Sequence, residues 1–449
     1  RWYGKLDWNI NDSNILELTG ASDKRIGAGS VYNYDYTARS RGQYTRPLDN
    51  TKKGGDLYVA KYTGYLTDNL TVSAMYCEMK THEYDGPGNY DDSLTYVGGV
   101  TNQNPALIGG VPRGNTQISS LADPARGNKT TNSRLDVSYH LGDHTISLGI
   151  DNQKAEALHQ GTRNTGPGYA WVYGHTDHPD QPLVTGANGV PAPGDFANGQ
   201  DGYFVQKNID NNAVSVRSQQ RAQYIEDKWQ VSDRWLLSLG LRNDQFTDYN
   251  SSGQPFITQT RPQWAPRLGF SWDVNGDSSF KVFGNAGRYY LGLPLNPATG
   301  AASGYVSTQQ YYTYSGIAAD GTPTGLTVMS NPVSANNSFG NPPDPNTVTA
   351  KNIKAEYQDE FILGFTKTAG THWLYGAKLT QRILRNAIDD FCDIDRVTAK
   401  AAALGYDVGS SNSCYLINPG RENTFNLLDP TGNPFSVTLS NQELGFPQL

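Results

Sequence analysis

The 449-residue chain contains no run of roughly 20 apolar residues, the length a membrane-crossing helix needs, so it is not a helical membrane protein. Three cysteines in so long a chain exclude a disulfide-stapled scaffold. Basic residues are outnumbered, 36 Lys+Arg against 43 Asp+Glu, and a formal net charge of −7 gives nucleic acid no basic face to bind. Enzyme signatures are missing too: there is no G-x-S-x-G, no H-E-x-x-H and no Walker-type glycine loop. No Ser/Gly tract, proline-rich spacer or charge block divides the chain into domains. Aromatic residues at 11% and a modest net charge argue against disorder. What is abundant is glycine (48) and tyrosine (28), which points to β-structure, in water or in an outer membrane.

The positive signal is period-2 alternation. Leu135, Val137, Tyr139 and Leu141 alternate with Asp136, Ser138 and His140; after Gly142-Asp143, Ile146, Leu148 and Ile150 alternate with Ser147, Gly149 and Asp151. This is a hairpin with one apolar face. The unit recurs from Tyr58 to Tyr76 about a turn at Thr67-Asp68-Asn69, and from Trp229 to Leu241 about Ser232-Asp233. It recurs again from Pro266 to Val282 about Asn275-Gly276-Asp277, and from Tyr357 to Leu379 about Ala369-Gly370. With a less regular hairpin bending near Asn11-Asp12, there are about six hairpins and hence about twelve strands.

Turns within hairpins are short. Links between them are long and polar, over roughly residues 22–53, 81–130, 156–217, 248–262 and 291–352. Up-and-down order gathers the short turns at one end and the long loops at the other, as in outer-membrane barrels with short periplasmic turns and long extracellular loops. An antiparallel sheet with one buried face would show the same alternation, but a compact soluble domain has no place for such loops. The apolar parity is then the lipid face. The other parity carries Lys61, Thr71, Ser73, Asp136, His140, Arg242, Lys281, Glu360 and Lys378, suited to a hydrated lumen. Trp2, Tyr3, Trp8, Trp229, Trp235, Trp264, Trp272, Trp373 and Tyr375 gather toward strand ends, where ring and polar atom suit a membrane interface. The expected fold is all-β: an antiparallel up-and-down transmembrane β-barrel wall.

The segment from Tyr224-Ile225-Glu226-Asp227-Lys228-Trp229 through Trp235-Leu236-Leu237-Ser238-Leu239-Gly240-Leu241-Arg242 resembles the barrel of TonB-dependent outer-membrane receptors. Trp264-Ala265-Pro266-Arg267-Leu268-Gly269-Phe270-Ser271-Trp272, Lys281 to Tyr290, Asp359 to Phe365 and Ala387-Ile388-Asp389-Asp390 resemble the Oar-like subgroup. That resemblance implies a barrel of about 22 strands in the bacterial cell outer membrane, of which these twelve would be roughly half. It also implies a plug, a TonB box that couples import to the TonB energy-coupling complex, and an extracellular ligand: an iron chelate, an oligosaccharide or a peptide. None of those segments is visible here. The expectation is therefore one partial barrel domain over 1–449, a fragment at both ends, with an extracellular loop bearing a short helix over 385–420. A half barrel with two open edges would aggregate.

The residues that could carry chemistry are few, and no cofactor is implied. His175 and His178 have H-x-x-H spacing without a third ligand, and read as exposed loop histidines. Asp389, Asp390, Asp393 and Asp395 lack the EF-hand pattern and read as a solvated acidic loop. Tyr311, Tyr312 and Tyr314, in the long 291–352 loop, are ligand-contact candidates; the alternative is internal packing of that loop. Arg288-Tyr289-Tyr290 reads as the base of the same loop. Asp395 to Leu404 reads as a helix, with Val397, Ala401 and Leu404 on one face and Gly405 as its stop. Cys392 and Cys414 flank it and are expected to form a disulfide, since an outer-membrane protein passes through the oxidising periplasm. Cys77, alone in a strand, is expected to stay free; pairing of Cys77 across the lumen and three free thiols are the alternatives.

Two functions fit: a receptor and transporter barrel that recognises and takes up a ligand, or a surface-display, adhesion or secretion-linked barrel that imports nothing. A passive porin is a third.

Overall fold

A computed structural model of the chain describes residues 1–446 apart from 89, 187–188, 301, 336–337 and 410–413. Twelve antiparallel strands, each hydrogen-bonded to the next in chain order, make one continuous wall. They are β1 (Trp2–Asn11), β2 (Asn14–Ser22), β3 (Ser40–Tyr65), β4 (Leu70–Gly86), β5 (Gly127–Leu141) and β6 (His144–Gln160). The second half is β7 (Val214–Ser232), β8 (Trp235–Tyr249), β9 (Trp264–Asp273), β10 (Phe280–Tyr290), β11 (Tyr357–Ala369) and β12 (Trp373–Arg385). β1 and β12 are its two edges.

The turns at one end are tight because their residues close them locally. Gly142, with φ 57°, turns β5 into β6 in a backbone conformation that L side chains rarely adopt. At the β9–β10 turn, Asp273 accepts hydrogen bonds from the amides of Gly276 (3.0 Å) and Ser278 (2.8 Å). At the other end the chain leaves the wall for the long segments 87–126, 161–213 and 291–356.

Register turns alternation into two faces. Val72, Val137, Leu148, Ile225 and Leu241 stand opposite one another on β4 to β8, an unbroken apolar row. No protein packs on it: Leu148 is 50% exposed, Ile225 52% and Leu363, on β11, 57%. So broad an apolar surface is a site of membrane or protein contact, not one a protein leaves in water. On β4 the outward run Leu70, Val72, Ala74, Tyr76 covers roughly 15 Å of the membrane normal at ~3.3 Å per residue and ~40° tilt. Aromatics widen the belt at the turn end, where Trp235 stacks on Trp272 (5.1 Å between centroids) and Trp229 on His144 (5.2 Å). Above the belt the same parity becomes charged, with Lys129 bonded to Glu78 (3.1 Å) and Lys154 to Glu156 (2.7 Å).

Three expectations need correction. Residues 22–53 are not a loop: a strand over Arg25–Asp35 pairs with the first half of β3 as a projecting hairpin. Both its faces are largely exposed, and its alternation of Ile26, Ala28, Tyr32 and Tyr34 with Arg25, Gly27, Asn33 and Asp35 is diluted by glycine and polar residues that read as loop. The strands beside it also outrun their apolar segments, and the link expected over 81–130 shrinks to 87–126. Near the C-terminus, the packed unit extends well past residue 420, as described below.

Candidate functional site: the lumen face and its loop cap

The parity opposite the apolar row is a network of paired charges. Glu17 on β2 bridges Lys5 (3.2 Å) and Lys61 (2.9 Å). Arg134 on β5 grips Asp136 (2.7 Å) and donates to the Tyr224 hydroxyl of β7 (3.2 Å), and that hydroxyl bonds Asp136 in turn. Arg242 on β8 spans Asp244 (2.9 Å) and Asp151 of β6 (3.1 Å), and Asn132 donates to the same Asp151 (3.0 Å). Arg134, Tyr224, Ser238, Arg242, Arg267 and Asn285 line a hollow of about 370 Å³ on this face. Its chemistry is that of a hydrated lumen or a polar packing surface, the inner half of the alternation.

Over the mouth, the long segments weave into a second sheet. Its strands include Tyr96–Gly98, Ser120–Ala122, Thr162–Asn164, Ala170–His175, Tyr203–Asn211, Val306–Thr313 and Thr327–Val328. Three separate loops thus share one hydrogen-bonded cap with its own core of Val97, Ile108, Trp171, Tyr173, Val205, Tyr314 and Ile317. Here the tyrosine segment finds its place. Tyr314, 2% exposed, packs edge-on against Tyr173 (5.1 Å), and its hydroxyl accepts the Asn104 amide (3.0 Å). Burial pushes its phenol up to about 12. Tyr173 donates to the Gly321 carbonyl (2.8 Å), tying a third turn into the core. Tyr311 is buried beside Phe204 (5.8 Å). Tyr312 is half-buried, with its ring against Trp171 (5.6 Å). Two of the three ligand-contact candidates therefore hold the cap together from inside.

The segment after β12 folds into a compact unit. Its helix spans Ile394–Ala403; Val397 and Ala401 are buried, Leu404 is exposed beyond the last turn, and Gly405 (φ 82°) ends it. Cys392 and Cys414 are joined by a disulfide, S–S 2.00 Å, and Cys77 is free within β4. A hairpin of Asn423–Leu428 and Pro434–Leu439 completes a core of Phe391, Val397, Tyr415, Phe425, Leu427 and Leu439. Sequence reasoning missed this hairpin, although Phe425 and Leu427 alternate and Asp429-Pro430-Thr431-Gly432 is a turn signal. The unit is fastened to the mouth by Leu416, whose amide donates to Val348 O (2.9 Å) and whose carbonyl accepts from Ala350 (2.8 Å). Leu416 packs with Ala157 and Val216 of the wall.

The polar clusters do not assemble a metal centre. His175 Nδ1 lies 3.6 Å from Asp177 and its ring rests on Tyr203. Among the described residues the one convergent group of three metal-type ligands is Asp390, Cys392 and Cys414, and its two sulfurs are spent in the disulfide. Asp393 pairs with Arg396 (2.7 Å).

Comparison with known proteins places the two-faced wall in a family. A family described as outer membrane beta barrel domain matches residues 1–254. The chain belongs to that family. It is a bacterial outer-membrane β-barrel wall. Over 240 residues it is 25% identical to the TonB-dependent transporter Oar of Myxococcus xanthus, covering 48% of this chain and 20% of that protein. Solved structures with a similar course include the FrpB iron transporter of Neisseria meningitidis (12% identity, TM-score 0.47, 95% of this chain and 49% of that one). Another is the siderophore receptor PirA of Pseudomonas aeruginosa (13%, TM-score 0.39, 98% and 56%). The chain thus spans about a fifth of the curated relative's length and about half of these structures.

Proposed function

We propose that this wall is part of a TonB-dependent receptor and transporter barrel that recognises a ligand at the cell surface and takes it up across the outer membrane. The observation that carries the reading is the charged, hydrogen-bonded lumen face lying beneath one interlocked loop cap. Such a face needs a polar partner or water, and a plug fills that role in a coupled transporter. The similarity to Oar supports it. In this reading 1–449 is one partial barrel domain, 385–420 belongs to an extracellular unit, and a plug with its TonB box lies in the parent protein outside this chain. The ligand in this reading is an iron chelate, an oligosaccharide or a peptide, and Tyr312, half-buried, is the remaining contact candidate of the tyrosine segment.

The second reading, a barrel that displays its loops for adhesion or secretion, draws support from the same cap. Tyr311 and Tyr314 are buried inside it rather than presented to a ligand. Uptake assays on cells carrying the parent protein separate the two. Ferric chelates, oligosaccharides and peptides with a fluorescent label should accumulate for one class, and accumulation should stop when the TonB partner is deleted. If no class accumulates and removing the protein instead abolishes surface attachment, the transport reading falls.

A further inference from the structure

The seam between β9 and β10 opens at the mouth. The two strands pair from Asp273↔Lys281 up to Arg267↔Gly287 and no further. Above that point Trp264, Ala265 and Pro266 pair only with β8, while Arg288, Tyr289 and Tyr290 pair only with β11. Pro266, with no amide hydrogen to give, sits where the pairing stops. At Tyr290 a cleft of about 790 Å³ adjoins, lined by residues of the segments 255–263 and 345–355.

Its lining is one-sided in charge. Arg261, Lys351 and Lys354 line it, all three are exposed, and no carboxylate lines it. Glu356, between the lining residues Ala355 and Tyr357 in sequence, accepts the Ile388 amide (3.2 Å), and Asp359 is held by Arg288 (2.8 Å). Tyr290 and Tyr357 form the floor, their rings 5.5 Å apart. Among the described residues none of the three makes an ion pair, and three like charges around one cleft repel unless an anion joins them.

We propose that this cleft binds a polyphosphorylated anion, its phosphates engaged by Arg261, Lys351 and Lys354 over the Tyr290–Tyr357 floor. Arginine and lysine bond phosphate oxygens through charge-assisted hydrogen bonds. The cleft stands at the top of the wall, so the phosphates can come from a free solute or from the headgroup of a membrane glycolipid. The site holds whether or not the parent protein imports a ligand.

The test uses the full-length parent protein in detergent, with inorganic tripolyphosphate, lipopolysaccharide and dephosphorylated lipopolysaccharide as probes. A triple variant, Arg261→Gln, Lys351→Gln, Lys354→Gln, changes only exposed side chains. Arg25→Gln, Arg39→Gln, Arg46→Gln removes equal charge far along the chain as a control. The expected result is salt-sensitive binding that the first triple weakens at least about tenfold and the control leaves unchanged, with both variants keeping the native circular dichroism. Binding of tripolyphosphate identifies a free anion. Binding of lipopolysaccharide alone, lost on dephosphorylation, identifies the lipid-borne source. Absence of binding to every probe, or equal binding by wild type and the cleft variant, overturns the site.

Discussion

Glu443 shows how a single exposed carboxylate can organise a loop. It accepts from Lys400 (2.6 Å), from the Ser440 amide (2.8 Å) and from the Ser440 hydroxyl (2.9 Å), and these partners, Lys400 first, hold its carboxyl down to about 2. A carboxyl whose folded value is depressed contributes stability above the ordinary glutamate range, and that contribution is lost as pH falls through the folded value. The tie between helix and 440–446 should therefore persist at pH 5 and loosen between about pH 4 and pH 2. Hydrogen exchange of the 440–446 amides across that window reads it, and Glu443→Gln should flatten the profile. A profile unchanged in the variant would remove Glu443 from the account. The Cys392–Cys414 bond acts on the same unit, closing a segment of 22 residues, for which chain entropy gives about 3 kcal/mol. A non-reduced digest of the parent protein should yield a peptide joining the two, with Cys77 open to alkylation. A Cys77-linked peptide would contradict the pairing. Both cysteines and the helix were legible from spacing. Internal packing of Tyr311 and Tyr314 was among the sequence readings, but their partners Phe204 and Tyr173 were not, because these come from a different loop.

Strands were legible where one face meets lipid. Leu237, Leu239 and Leu241 alternate with Ser238, Gly240 and Arg242 because β8 separates hydrocarbon from lumen, and the register with β7 and β9 agrees. The projecting strand Arg25–Asp35 alternates too, with Ile26, Ala28, Tyr32 and Tyr34 against Arg25, Gly27, Asn33 and Asp35, but its small and polar residues read as loop. The asymmetry predicts mutational cost. Leu239→Arg should destabilise insertion by about 2–4 kcal/mol, the range for arginine at the bilayer midplane. Ser238→Arg, opening onto the lumen hollow, should cost much less. Folding into lipid vesicles across a denaturant series ranks the two, and the reverse order would exchange inside for outside.

At the scale of the molecule, three loops that leave the wall between different strand pairs meet in one sheet, and the unit after β12 docks on the mouth through Leu416. That convergence is invisible to local patterns, because each loop contributes only two to nine residues per strand and the pairing is long-range. The wall itself was legible as about six hairpins, since each carries its own turn and its own alternation. The parent protein should fractionate with the outer membrane and migrate faster unheated than boiled on a gel, while recovery in the soluble periplasm would oppose it. The most direct test of the two-faced wall places single fluorophores along Leu237 to Arg242 of the parent protein in vesicles and quenches them in turn from lipid and from water. The account predicts a period of two: Leu237, Leu239 and Leu241 quenched by brominated lipid, Ser238, Gly240 and Arg242 by an aqueous quencher. A profile without alternation, or with the two sets exchanged, would contradict it.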